Sequence, residues 1–179
     1  MTLRRLILLF LAPLMFHAQS AWAAVTITFY SHEFGSEFPH AFVTLKGTLD
    51  GSGERIDTNY GFTPVNVGPH LLWGWAKGRL DIAEAEYVAD SNPHFRMTIS
   101  DAEYGKVMEV VNGWGNRKQK SYNLNKANCV HFVGEIAEAV GLKINRKSEN
   151  FKKPRSFLIE VTDLNRSRFT AAQLLYKGS

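Results

Sequence analysis

Apolar positions recur along this chain at two spacings, and the change from one to the other falls near residue 100. Before it the pattern is that of strands. "VTITFY" (Val25 to Tyr30) is β-branched and aromatic, "HAFVTLKGTL" opens at His40, and "RIDTNYGF" (Arg55 to Phe62) follows after the turn "DGSGE". The last two predict a hairpin, and "HFRMTI" (His94 to Ile99) predicts a further strand. Between them, "SHEFGSEFP" reads as a loop, and the Pro/Gly content of residues 63–69 marks irregular chain. Residues 73–82 carry no clean period and are read as strands or an extended excursion.

After residue 100 the period becomes helical. "SDAE" (Ser100 to Glu103) is a capping box, and Tyr104, Val107, Met108 and Val111 recur at helical spacing up to Gly113 and Gly115. A second helix runs from Asn128 to Val140 and is closed by Gly141; a third is opened by Pro154 and continues through "RSFLIEVTDL". Strands first and helices afterwards predict an α+β domain.

Composition changes this picture at the ends. The chain begins with Arg4-Arg5, an apolar run from Leu6 to Phe16, and Ala21-Trp22-Ala23, the layout of a secretory signal peptide over 1–23. The run is well short of the roughly 20 residues a membrane-spanning helix needs. Residues 24–179 are then expected as one exported domain, periplasmic or secreted, long enough to bury a core without staples. Residues 24–141 carry a net charge of −4 and the C-terminal segment 142–179 carries +6. That segment is read as a solvated surface, or functionally as weakly attracted to an anionic envelope or membrane; nothing points to nucleic acid. Oligomeric state leaves no signature.

The chain has one cysteine, which cannot form an internal disulfide. In an oxidising compartment it is expected to be hidden in the core or retained because its sulfur is used. With Asn128 as N-cap, Cys129 is the first helical residue, beside free N–H groups and the positive end of the helix dipole. These favour a thiolate and offer an oxyanion donor. At 100° per residue Cys129, Phe132, Val133, Ile136 and Val140 form one stripe, with His131, Gly134, Glu135 and Glu138 opposite. His131 is therefore a poor base for Cys129, and spacing alone favours the sulfur as a packing atom over a nucleophile.

"NCVHFVGEIAEAVGL", preceded by "SYNLNKA", resembles the nucleophile helix of circularly permuted papain-like cysteine hydrolases, a group that includes permuted relatives of NlpC-type peptidases and lecithin retinol acyltransferase-like proteins. The resemblance implies a permuted papain-like fold, an antiparallel sheet packed against a helix that carries the cysteine near its N-terminus. It also implies a catalytic histidine earlier in the chain at a strand start, and "FPHAFVTLKG" supplies His40, 89 positions before Cys129. Without the resemblance, His40 reads as an edge-strand residue. An imidazole in reach would take the thiol proton and return it to a leaving group. The group that orients the imidazole is expected on the next strand, where Asn59 is favoured over Asp57 and Tyr60. No second histidine lies there, which favours the peptidase-like branch.

The remaining histidines, among them His32, His70 and His94, show no paired-ligand spacing, and neither a metal nor a cofactor is expected. Trp73 and Trp75 read as core or as one wall of a groove. The resulting expectation is an amide-cleaving cysteine hydrolase acting on peptides or peptidoglycan fragments. The rival readings are a thiol acyltransferase or lipid esterase on the same scaffold, or a binding module in which Cys129 is only packed.

Overall fold

In the computed structural model, which describes residues 24–33 and 39–177, five strands form one antiparallel sheet. They are β1 (Val25–His32), β2 (His40–Thr48), β3 (Arg55–Pro64), β4 (Gly78–Asp81) and β5 (Asn92–Ile99), in the spatial order β4-β3-β2-β1-β5. The expected signal segment 1–23 lies outside the described residues. The helices are α1 (Ala85–Ala89), α2 (Asp101–Gly115), α3 (Cys129–Ala139) and α4 (Pro154–Leu164). The architecture is α+β. None of the described helices is long and apolar enough to cross a membrane.

Local chemistry explains most of these boundaries. The β2–β3 turn closes through Leu49 and Glu54, with Gly53 at φ 71°, a left-handed conformation a side chain would resist. Ser100 and Glu103 form a reciprocal capping box at α2. Pro154 occupies the first turn of α4, where its missing N–H costs nothing. Gly141, at φ 76°, ends α3.

Strand register assigns each side chain to one of two sheet faces. Phe29, Val43 and Tyr60 are aligned across β1, β2 and β3, as are Ile27, Leu45 and Thr58. This face, which also carries Ala41 and Phe62, holds the core. Onto it α3 packs over β2 and β3, with α2 and α4 on either side. Phe62 sits among Trp114, Tyr122 and Phe132, all within 6.4 Å between ring centroids. The opposite face carries Tyr30, His32, His40, Phe42, Asn59 and Gly61, partly covered by Tyr87 of α1, which stacks on His32 at 4.1 Å.

Within residues 73–82, read as strands or extended chain, Ala76 forms a bridge and β4 a short strand. A 3-10 turn (Pro69–Leu72) and irregular chain precede β4, which is only four residues long. The five-residue α1 was too short to give a period. Gly134, read as facing away from the core, is buried: α4 crosses there, and a Cβ on it would lie 3.3 Å from the Phe157 ring. Helix α3 is thus buried on two sides, by the sheet and by α4.

Candidate active site

The N-terminus of α3 is fixed by Asn128. Its side-chain oxygen accepts from the N–H of Val130 (2.8 Å) and of His131 (3.1 Å), and its amide nitrogen donates to the carbonyls of Leu124 (2.8 Å) and Phe151 (2.7 Å). Together with a contact from His131 Nδ1 at 2.9 Å, five hydrogen bonds on one buried side chain hold the cap, and with it Cys129, against the preceding loop. The His131 ring thus points to Asn128 and stacks on Phe151 at 4.5 Å.

Cys129 is only 4% exposed, and the main-chain N–H groups of Ala41, Val130 and Cys129 itself lie near enough to its sulfur to favour the thiolate. Burial pushes the thiol up to about 11, and those three N–H groups oppose the shift. The sulfur is therefore protonated at neutral pH. The contact with Ala41 brings it to the first turn of β2, one residue from His40.

His40 approaches the same strand end from the other face. Its ring lies over Gly61 so closely that a Cβ built on Gly61 would be 2.3 Å from Nε2. Only glycine leaves room there. Asp81 pairs with Gly61 in the β3–β4 register and therefore lies on the His40 side of the sheet, where its charge acts on the imidazole. Burial lowers His40 to about 4, Asp81 pulls it upward, and His32 adds to the lowering. At neutral pH the ring is a neutral base.

Two clefts meet here. One, of about 530 Å³, is lined by His40, Thr63, Val67, Asp81, Glu84 and Tyr122, among others. The other, of about 220 Å³, includes Pro39, Tyr122, Leu124, Cys129, Lys152 and Pro154. Tyr122 is their common wall, and its phenol is held protonated by burial and by the neighbouring Cys129. No family model, curated protein or solved structure matches the chain.

Of the side chains expected at the site, the structure brings Cys129 and His40 to one end of β2 from opposite faces of the sheet. No direct hydrogen bond joins the sulfur and the ring. Asn59 shares the face of His40, but its amide is engaged with Ala83: Nδ2 donates to the carbonyl (3.0 Å) and Oδ1 accepts from the N–H (2.7 Å). It pins the chain after β4. Asp57 pairs with Lys46 at 3.4 Å on the exposed surface, and Tyr60 points into the core. The carboxylate that acts on His40 is Asp81, contributed by a strand the sequence pattern did not resolve. Tyr122 and Gly61 were equally unread; "NYGF" marks Gly61 only once the position of His40 is known.

His94 and His32 serve packing. His94 Nε2 lies 2.8 Å from Ser31 Oγ and the ring stacks on Tyr176, while His32 Nδ1 lies 3.0 Å from Ser91 Oγ. Among the described residues no group of His, Cys, Asp and Glu converges as a metal site.

Proposed function

We propose that this chain is an exported cysteine hydrolase of the permuted papain-like type that cleaves amide bonds in peptides, with peptidoglycan stem peptides as its substrate class. The observation that supports this reading is that Cys129, at the Asn128-capped start of α3, and His40, at the start of β2, line two clefts that share Tyr122 as a wall.

In this mechanism both groups rest uncharged. As the sulfur attacks the scissile carbonyl, its proton passes to the imidazole by way of a bridging water at the start of β2, since ring and sulfur share no direct hydrogen bond. No free thiolate has to be stabilised beforehand. The carbonyl oxygen becomes an oxyanion, to which the Cys129 N–H and the Tyr122 phenol are assigned as donors in this reading. His40 then gives its proton to the departing amine, leaving an acyl thioester on Cys129. Water, deprotonated by His40, hydrolyses the thioester and restores the thiol. Asp81 stabilises the imidazolium between these steps and is its positioning residue.

Charge around the clefts favours a peptide. The His40 cleft presents Asp81 and Glu84 and suits the amine side of the bond, whereas Lys152 beside Cys129 suits a substrate carboxylate. The test is incubation with peptidoglycan stem peptides, counting new amino termini. Release that disappears with Cys129→Ala supports the reading. Undiminished release by that variant, or release of fatty acid from phospholipid without action on peptides, contradicts it.

A further inference from the structure

The chain between β3 and β4 and the chain that leads into α3 form one surface. Ala76 and Tyr122 exchange both main-chain hydrogen bonds (2.8 and 3.0 Å), and Asn123 Nδ2 donates to the Gly74 carbonyl at 3.0 Å. The Val65 N–H donates to the Lys77 carbonyl at 2.8 Å, closing the excursion at its base. Inside it Leu71 is buried as an anchor, and its neighbours are turned outward: Leu72 is 67% exposed, Trp73 78% and Trp75 48%. Val65 and Val67 are exposed beside them. These side chains are held in water by a tied loop, an arrangement that costs free energy unless another phase covers it.

The charge of this surface is one-sided. Residues 65–79 and 116–126 contain Lys77, Arg79, Arg117, Lys118, Lys120 and Lys126, and no aspartate or glutamate. Arg79 pairs with Asp81, and Arg117 with Glu135. The four lysines are exposed and take part in none of the ion pairs found among the described residues. Lys120 even occupies a left-handed backbone conformation, φ 63°, that a non-glycine residue adopts at a cost. The basic C-terminal segment differs, since Arg146, Arg155 and Arg166 each face an acidic partner there.

We propose that the surface built from residues 65–79 and 116–126 docks on an anionic lipid bilayer. Tryptophan seeks the headgroup level, leucine and valine enter the acyl boundary, and unpaired lysines meet lipid phosphates. The aliphatic members distinguish this occupant from a glycan, which would stack on tryptophan and gain little from Leu72 or Val65. Docking would set the mouth of the His40 cleft, whose wall includes Val67, beside the membrane. The proposal stands apart from the hydrolytic assignment, because none of its contacts involves the sulfur or the imidazole.

The test is cosedimentation of the purified protein, and of its Cys129→Ala variant, with phosphatidylglycerol vesicles and with phosphatidylcholine vesicles. Both proteins are expected to partition onto the anionic vesicles only, with a blue shift of tryptophan emission and weakening at high salt. Leu72→Glu combined with Trp73→Ala should lower the partition at least about tenfold while leaving hydrolysis of a soluble substrate unchanged. Lys118→Gln with Lys126→Gln should weaken it in a way that high salt abolishes. Absence of binding to anionic vesicles, equal binding by the Leu72/Trp73 variant, or retention on peptidoglycan glycan strands in place of lipid would overturn the proposal.

Discussion

The imidazole of His40 lies over Gly61, with Nε2 2.3 Å from the point a Cβ would occupy. Two strands thus share one space, which the absent side chain of β3 leaves to the ring from β2. Gly61→Ala should displace the ring toward solvent. Hydrolysis should fall by about 100-fold, the scale of losing a well-placed proton-transfer group, with the far-UV spectrum preserved. Unaltered activity in a folded Gly61→Ala protein would mean that the ring position does not matter.

Asp81 and Asn59 lie on the same sheet face but do different work, and two variants separate them. Removing the charge in Asp81→Asn withdraws the one influence that raises His40, so the imidazole should titrate lower still. The acid limb of the pH–rate profile should move to lower pH and kcat should drop about tenfold. Asn59→Ala should instead leave the acid limb in place and cost about 1 to 2 kcal/mol of stability, through two lost hydrogen bonds to Ala83. Chemical denaturation together with the pH profile distinguishes the two outcomes.

Two histidines make the fold acid-sensitive. His94 and His40 are both lowered from 6.5 to about 4, chiefly by burial. In the window between those values the unfolded chain binds protons that the folded one does not, so stability must fall as pH falls from about 6.5 to about 4. For His94, which is 1% exposed, the shift corresponds to roughly 3 kcal/mol. Melting temperature measured across this window should decline, and His94→Gln should flatten the decline. A melting temperature that does not change between pH 6.5 and 4 would contradict the assignment.

Asn128 carries the cap and ties it to Phe151. Asn128→Ala should remove about 2 to 3 kcal/mol of stability, because the cap is lost and two inward-facing carbonyls lose their donor. Asn128→Asp should keep the accepted bonds and lose the donated ones, giving an intermediate denaturation midpoint.

How far the sequence could be read depended on whether the deciding contacts were local. Alternating residues announced β1, β2 and β3, and the Ser100–Glu103 box and Pro154 announced α2 and α4, because caps and pleats act within a few residues. Alternation also put Asn59 and Asp57 together on one face, as they are found. It gave no indication that Ala83, 24 positions on, would engage the Asn59 amide, nor that Asp81 would reach the site. Asp81 arrives on a four-residue strand too short to carry a period. The face of β2 that presents His40 was hidden for a similar reason: register is a property of the assembled sheet, and it puts His40 on the face opposite the core at the strand's start.

The proposed partnership of Cys129 and His40 is the centre of the functional reading, and the most direct measurement of it is the rate of Cys129 alkylation by iodoacetamide in the folded protein at neutral pH, with and without His40. A thiol pushed up to about 11 hardly ionises by itself, so a neutral imidazole at the Ala41 end of β2 should accelerate its reaction. The expected result is a rate at least about tenfold lower in His40→Ala than in the unmodified sequence. Equal rates in the two proteins would show that His40 does not serve Cys129.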